Sequence, residues 1–382
     1  MLKILELKDS CTACGACVSV CPKDALTLRY DGEGFYYPKV DSKLCVGHRL
    51  CEQVCHAIAD ESKRGSVVTP YMVKSNSEEL VRLSSSGGLF SILAENLLGQ
   101  GGVVYGVRYN YKLERAEHVS TDECDLSELR KAKYVESYLG DTFVGVSRNL
   151  SSGRKVLFCG TPCQVRGLKR YLEAEKVDTQ ELLLVQFICH GVPSNENFTH
   201  YKHFVEKRYG SKHKTVDVDF RSKTYGWSRN SIKFKFSNGR TRSIRATESL
   251  FLLAFRDNIA LRRSCYGCDL LREGNADITL GDFWGVLKYR PEMNDEKGLS
   301  LVLLHGDKAQ RIFDSLKDNF WSEELPASSI EYIYGDNKQA LKEQRDKKIE
   351  EIKRCGYVPY LKSVYTKYII KRVIKRTVSS VK

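Results

Sequence analysis

The chain has 382 residues, 42% of them hydrophobic and 29% charged, which is ordinary for a globular protein and too long for one small domain. Its longest apolar runs, such as Leu182 to Val185 and Leu301 to Leu304, are far shorter than a membrane span, and its first residues carry scattered charge, so a cytoplasmic location is expected. The net charge of +13 is concentrated in two acid-free strips, residues 221–246 and 361–382, which excludes a general polycation. Such strips suit an anionic cofactor, an acidic protein partner or a membrane surface, and no nucleic-acid partner is expected.

Fourteen cysteines in a chain of this kind point to metal or redox chemistry rather than disulfides. The first four form Cys11-x-x-Cys14-x-x-Cys17-x-x-x-Cys21-Pro22, the run of bacterial ferredoxins, in which three thiolates wrap one cubane and the fourth turns away to a second. Ala13, Gly15 and Ala16 are small enough to let backbone N–H groups approach the sulfides. A second run is supplied by Cys45, Cys51 and Cys55, with His48 in the place of its second cysteine and His56 in the place of its proline. The expected ligands are Cys11, Cys14, Cys17 and Cys55 for one 4Fe-4S cluster, and Cys21, Cys45, His48 and Cys51 for the other. An imidazole in place of a thiolate would raise that cluster's potential.

Residues 60–77, with Gly65 and Pro70, read as a polar linker. Beyond it the apolar spacing predicts a helix over Leu89–Leu98, a strand over Val103–Tyr109, a helix over Phe143–Leu150 and a strand over Lys155–Cys159. A helix over Gln164–Glu173 and a buried strand over Leu182–Cys189 follow, an alternation that predicts a mostly parallel sheet. From Val216 the pattern becomes antiparallel: Ile232, Phe234 and Phe236 share one face, Lys233 and Lys235 the other, and Asn238-Gly239 is a hairpin turn. Ser84 to Gly88, opening the helix at Leu89, has the composition of an anion cradle as much as of an N-cap. The loop from Cys159 to Gln164 lies between a strand and a helix, where α/β sheets bind ligands, and the absence of a complete G-x-G-x-x-G leaves a standard nicotinamide site unsupported. Cys163, Cys189 and the pair Cys265-x-x-Cys268 could form a third centre, although the pair alone also suits zinc or a dithiol.

The segments SSSGGLFSILAENLL, GGVVYGVRY, KAKYVESYLGDTF, KVLFCGTPCQVRGLKRYL, ICHGVPS, SCYGCDLL and ADITLGDFWG occur in this order. Together they resemble the family of beta subunits of coenzyme F-420 (deazaflavin) hydrogenases and dehydrogenases, over about residues 8 to 320. The resemblance implies an FAD beside a 4Fe-4S cluster held by Cys163, Cys189, Cys265 and Cys268, with Cys159 a bystander. It implies flavin contacts around Ser86, Gly87 and Gly88, at Lys133 and Tyr134, and at Gly160, Thr161 and Pro162. Many bacterial members resemble standalone proteins associated with surface-polysaccharide synthesis.

The expected architecture is α+β: a ferredoxin-like dicluster module (1–62), an α/β flavin-binding domain with an antiparallel extension (70–328) and a basic helical tail (329–382). The expected activity is electron transfer between a deazaflavin or small organic substrate and a ferredoxin or other electron-transfer protein, through FAD and the clusters. The rival is an electron-transfer subunit with no substrate pocket. His190 is read as a backbone-bonded residue more than a proton donor, and Asp282 as a turn aspartate more than a pocket residue. In the tail, Leu361, Val364, Tyr365, Tyr368, Ile369 and Val373 recur at helical spacing among basic residues, a pattern that suits either contact with an anionic membrane surface or a self-packed helix.

Overall fold

The computed structural model describes residues 2–58, 68–334 and 338–379, so Gly65 of the expected linker lies outside the described residues. At the N-terminus, a hairpin of β1 (Leu26–Tyr30) and β2 (Tyr36–Val40) stands beside two short helices, α1 (Ala16–Ser19) and α2 (Leu50–Gln53). The two cysteine runs follow one backbone path. Ala13 and Gly15 have φ of 52° and 81° before α1, and Gly47 and Arg49 have 75° and 59° before α2. At Ala13 and Arg49 the left-handed conformation costs about 1 kcal/mol, because each carries a Cβ.

The rest of the chain is built on a sheet of nine strands: β3 (Val68–Ser75), β4 (Val103–Asn110), β5 (Arg115–Ser120), β6 (Ser137–Tyr138), β7 (Val156–Gly160), β8 (Leu182–Phe187), β12 (Ile278–Asp282), β13 (Ser300–His305) and β14 (Phe320–Glu324). Their order across the sheet is β14-β3-β13-β12-β8-β7-β4-β5-β6. The middle, β4-β7-β8-β12, is parallel as the strand–helix alternation predicts. The flank β12-β13-β3-β14 is antiparallel, which the alternation does not predict. Residues 68–75 of the expected linker are β3, with Pro70 opposite Leu303, and the strand expected to reach Cys189 ends at Phe187. The mixed helix-and-sheet class stands.

Alternate residues of the central strands serve two cores. Val104, Leu157, Leu183 and Val185 face α3 (Leu89–Gly99), whereas Val103, Tyr105, Val156, Phe158, Leu182 and Leu184 face α4 (Thr142–Ser151) and α5 (Pro162–Ala174). Ala16, Val20 and Val54 enter the second of these cores, so the cysteine-rich module is packed onto the sheet through α5. A separate sheet of β9 (Thr215–Ser222), β10 (Ser231–Phe236) and β11 (Thr241–Arg245) turns at Gly239, with φ of 81°. Ile232, Phe234 and Phe236 are buried there against α6 (Asn195–Tyr209), α7 (Leu250–Arg256) and α9 (Tyr357–Ser379).

The tail helix therefore has its apolar side occupied. Leu361 and Tyr365 are buried in this core, Tyr368 and Ile369 pack against it, and only Val364 of the described stripe is exposed. The Val373 side chain lies outside the described residues. Two buried ion pairs clamp the module to the rest: Arg262 to Glu136, whose second oxygen accepts the Tyr36 amide, and Arg345 of α8 (Lys342–Cys355) to Glu33.

Candidate functional site

Cys11, Cys14, Cys17 and Cys55 line one cavity of about 30 Å³, walled by Ile4, Leu7, Leu28 and Pro38. Burial pushes the Cys14 thiol up to about 12, and the neighbouring thiols of Cys55, Cys163 and Cys11 add to the rise. Cys17 is raised well above the ordinary thiol range by burial and by the thiols around it. Such thiols ionise when a cation takes the place of their protons. Backbone amides already point at the sulfurs: Ala16 N–H at Cys14 and Ala57 N–H at Cys55, in each case two residues on.

Cys21, Cys45 and Cys51 gather in an adjoining apolar patch. His48 stands in the register of Cys14, and its Nδ1 accepts the Leu50 amide at 3.2 Å, the same two-residue offset. A sulfur can accept a hydrogen bond and bind iron together, whereas a ring nitrogen has one in-plane lone pair for both. His56, in the place of the second proline, is bonded to Thr12 Oγ1 at 2.9 Å through Nε2, and burial holds its pKa down at about 4.

Cys163, Cys189, Cys265 and Cys268 come together although up to 105 positions separate them in sequence. Burial raises all four thiols, and mutual repulsion adds to the rise at Cys189, Cys265 and Cys268. The two-residue offset returns, with Gly191 N–H at Cys189 and Leu270 N–H at Cys268. Cys159 is elsewhere, packed against the core under α3, its thiol pushed up to about 12 by burial. Among the described residues no three cysteine, histidine or carboxylate groups close on a point as they would around a single ion. A cubane would take its thiolates at separate corners of a body larger than a single ion.

The third set adjoins the first. The Cys163 thiol adds to the rise at Cys14, the Thr12 hydroxyl reaches Cys163, and Gly167 of α5 presses against Cys14. Thr161 caps α5 and its Oγ1 lies 3.0 Å from Cys163 Sγ, so the strand–loop–helix turn aims this cysteine at the module.

The flavin candidates meet on a second side of the same region. Tyr134 feels Arg221, Asp282 and Asp219, and its ring stacks on Phe255 at 4.9 Å. Phe255 in turn meets His190, next to Cys189, whose Nε2 lies 3.2 Å from the Phe255 carbonyl as the backbone-bonded reading expects. Lys133 is buried, which brings its pKa down to about 7, and Nζ donates to the carbonyls of Glu128 and Arg130 at 2.6 Å. Lys223 donates to Val81 O at 2.8 Å and Ser86 O at 2.9 Å, and burial lowers it to about 8.

The Ser84–Gly88 loop is tied into the sheet. Ser84 pairs with Ser91, Ser85 accepts the Ala132 amide, and Ser86 donates to Leu299 O. A Cβ on Gly87 would lie 2.2 Å from Val73 O, so this glycine serves close strand packing. The hydroxyls expected to cradle an anion thus have protein partners; the positive charge nearby belongs to Arg221 and Lys223. Asp282 is more than a turn residue: Oδ1 accepts Trp227 Nε1 at 2.9 Å and Oδ2 accepts Arg221 Nε at 3.1 Å. Trp284 stacks on Trp227 at 5.0 Å with half its surface exposed, and Arg221 lies against it. These residues fit a ring-bearing anion such as a flavin nucleotide. Trp227, Phe255, Asp219 and Arg262 were not legible as site residues; only the acid-free strip hinted at Arg221 and Lys223.

Residues 153–328 match the sequence profile described as the C terminus of the beta subunit of coenzyme F420 hydrogenase/dehydrogenase, and residues 10–59 match that of a 4Fe-4S dicluster domain. Somewhat less than half of the chain thus resembles the C-terminal part of coenzyme F420 hydrogenase/dehydrogenase beta subunits, and its N-terminal part resembles a 4Fe-4S dicluster domain. The two matches together support an iron–sulfur redox role. It is similar to the F subunit of F(420)H(2) dehydrogenase from Methanosarcina mazei, 22% identical over 346 residues that cover 87% of this chain and 90% of that one. It is also similar to coenzyme F420-dependent sulfite reductase of Methanocaldococcus jannaschii, 26% identical over 172 residues, 44% of this chain and 26% of that protein's length. Among solved structures, a chain of the F420-reducing NiFe hydrogenase complex from Methanosarcina barkeri aligns with a TM-score of 0.47 at 17% identity, covering 78% of this chain and 93% of that one. No helix among the described residues is long and apolar enough to cross a membrane.

Proposed function

We propose that the protein transfers electrons between a hydride-exchanging substrate, a deazaflavin coenzyme or a small organic molecule, and a ferredoxin or other electron-transfer protein. FAD, when bound, supplies the junction between two-electron and one-electron chemistry. Tyr134, Lys133, Lys223, Arg221 and the Gly160–Pro162 turn would hold it. Trp284 offers an exposed aromatic face, and Asp282 fixes that face by holding Trp227 and Arg221 together. Cys163, Cys189, Cys265 and Cys268 would hold a cluster on the Phe255–His190 side, and Cys11, Cys14, Cys17 and Cys55 would hold one across the Cys163–Cys14 boundary; such clusters would carry single electrons in either direction. Cys21, Cys45 and Cys51, with His48, form the module's outer terminal. The observation that carries the reading is the adjacency of the cysteine sets, Cys163 beside Cys14 and Cys51 beside Cys17.

His48 takes the fourth position of the outer cluster. Its backbone repeats that of Cys14 and its Nδ1 meets the same amide offset, so ligation there exchanges the Leu50 hydrogen bond for iron. His48→Cys should then lower that cluster's potential, and His48→Ala should change its EPR spectrum; an unchanged spectrum rejects ligation.

A role in surface-polysaccharide synthesis fits a member acting on a sugar. Membrane contact through the tail is supported by its basic residues alone, since the described apolar stripe is mostly buried in the protein.

The test is anaerobic reconstitution of the full chain with assay of iron, sulfide and flavin, followed by reduction with reduced deazaflavin and with reduced ferredoxin. About twelve iron atoms per chain and one flavin are expected, with at least one donor bleaching the flavin. Full iron with no retained flavin would make the protein an electron carrier without a substrate pocket.

A further inference from the structure

Arg262 lies between two of the cysteine sets. It is fixed in the loop of the third set, where its amide donates to Val192 O at 2.8 Å and its carbonyl accepts the Cys265 amide at 3.0 Å. Its side chain then crosses to the module. Nε donates to the Cys11 carbonyl at 2.8 Å, and Nη2 donates to Tyr36 O at 2.6 Å and stands 3.9 Å from Cys11 Sγ. The guanidinium is 1% exposed and lies 4.4 Å from the Tyr37 ring centre. Its counter-charge is Glu136, also buried.

The same residue borders both sets: its carbonyl holds the Cys265 amide, and its guanidinium stands 3.9 Å from Cys11 Sγ. Reduction adds an electron to a cluster, so a positive charge held beside it in a poorly polarisable interior favours the reduced form. An N–H directed at a ligating sulfur acts in the same direction. Arginine does not lose its charge in a protein, so the influence is present at every working pH.

We infer that Arg262 tunes two clusters at once, raising the reduction potentials of the centres on Cys11, Cys14, Cys17, Cys55 and on Cys163, Cys189, Cys265, Cys268, while Glu136 sets how much of its charge is felt. This rests on the cluster reading given above. A residue that merely ties the module to the sheet would leave both potentials where they are.

The test is an EPR-monitored redox titration of the anaerobically reconstituted full chain. Arg262→Gln should lower the midpoints of these two centres, and Glu136→Gln should raise the same two. The centre on Cys21, Cys45 and Cys51 should not move and serves as an internal reference. Each shift should reach at least tenfold in the reduced-to-oxidised ratio, about 59 mV for a one-electron centre. Arg262→Lys, which keeps the charge, should restore most of the wild-type midpoint. If Arg262→Gln does not fold, the upward shift in Glu136→Gln and the behaviour of Arg262→Lys decide the matter. Intact clusters with unmoved midpoints in Glu136→Gln overturn this inference alone. A wild-type chain that assembles fewer than two cubanes overturns the cluster reading along with it.

Discussion

Gly167 of α5 faces Cys14 so closely that a methyl group on its Cα would lie 2.8 Å from both the cysteine sulfur and its Cβ. Helix, module and first cysteine set are thus fitted without a carbon to spare. Gly167→Ala should leave the sheet folded and deplete the cluster nearest α5, with iron falling by about four atoms per chain. Full iron retention in a folded variant would mean that Cys14 is not a ligand.

Cys159 and Cys163 sit on the same strand–loop–helix turn but in different surroundings. Cys163→Ser should remove one cubane and leave the ferredoxin-like centres spectroscopically intact. Cys159→Ser should retain all iron, because its thiol lies among core side chains. Equal losses in the two variants would break the assignment of the third set.

Acid sensitivity should follow the buried histidines, His118 and His305 among them. Burial holds His118, bonded to Ser137 and the Cys159 carbonyl, and His305, bonded to Thr279, at about 4 against an ordinary 6.5. Between those values the unfolded chain binds protons that the folded chain does not, so stability falls as pH drops from 6.5 towards 4. Each group contributes up to about 3 kcal/mol to that loss. Denaturant midpoints measured across the window should flatten in His118→Gln; an unchanged slope would remove His118 as a cause.

Lys223 donates to the Ser86 carbonyl and lies near Asp282, and its partial burial brings its pKa down to about 8. Lys223→Met should weaken flavin retention at least tenfold, about 1.4 kcal/mol, measured by equilibrium dialysis of the reconstituted protein. Wild-type affinity in this variant would move the flavin away from the Ser86 side.

The tail helix should behave as core. Leu361 is fully buried, so Leu361→Ala should cost roughly 2–5 kcal/mol in chemical denaturation. Full-length protein and a variant lacking residues 371–382 should float equally with anionic liposomes; a clear loss of flotation would restore a membrane role for the basic end.

Much of this was readable where local pattern and tertiary role agree. Residues 103–105 and 156–158 alternate between two cores, and that alternation is written in their side chains. The ferredoxin run was readable because its curvature needs small residues at fixed offsets. What could not be read were partners distant in sequence. Residues 68–75 looked like a linker because Pro70 and nearby polar residues mimic one, yet β13 and β14 flank them. Ser84 to Gly88 looked like an open cradle because composition cannot reveal that Ser91, Ala132 and Leu299 already engage its hydroxyls. Arg262 and Glu136, 126 positions apart, signal nothing until the fold joins them.

The clamps at Arg262–Glu136 and Arg345–Glu33, together with Ala16, Val20 and Val54 in the sheet core, have a consequence for traffic. A carrier domain on a loose tether can swing between donor and acceptor, but this one is bolted down. Any protein that exchanges electrons with it must therefore travel to a stationary docking face, and turnover will depend on that partner's concentration and surface charge rather than on internal motion of the chain.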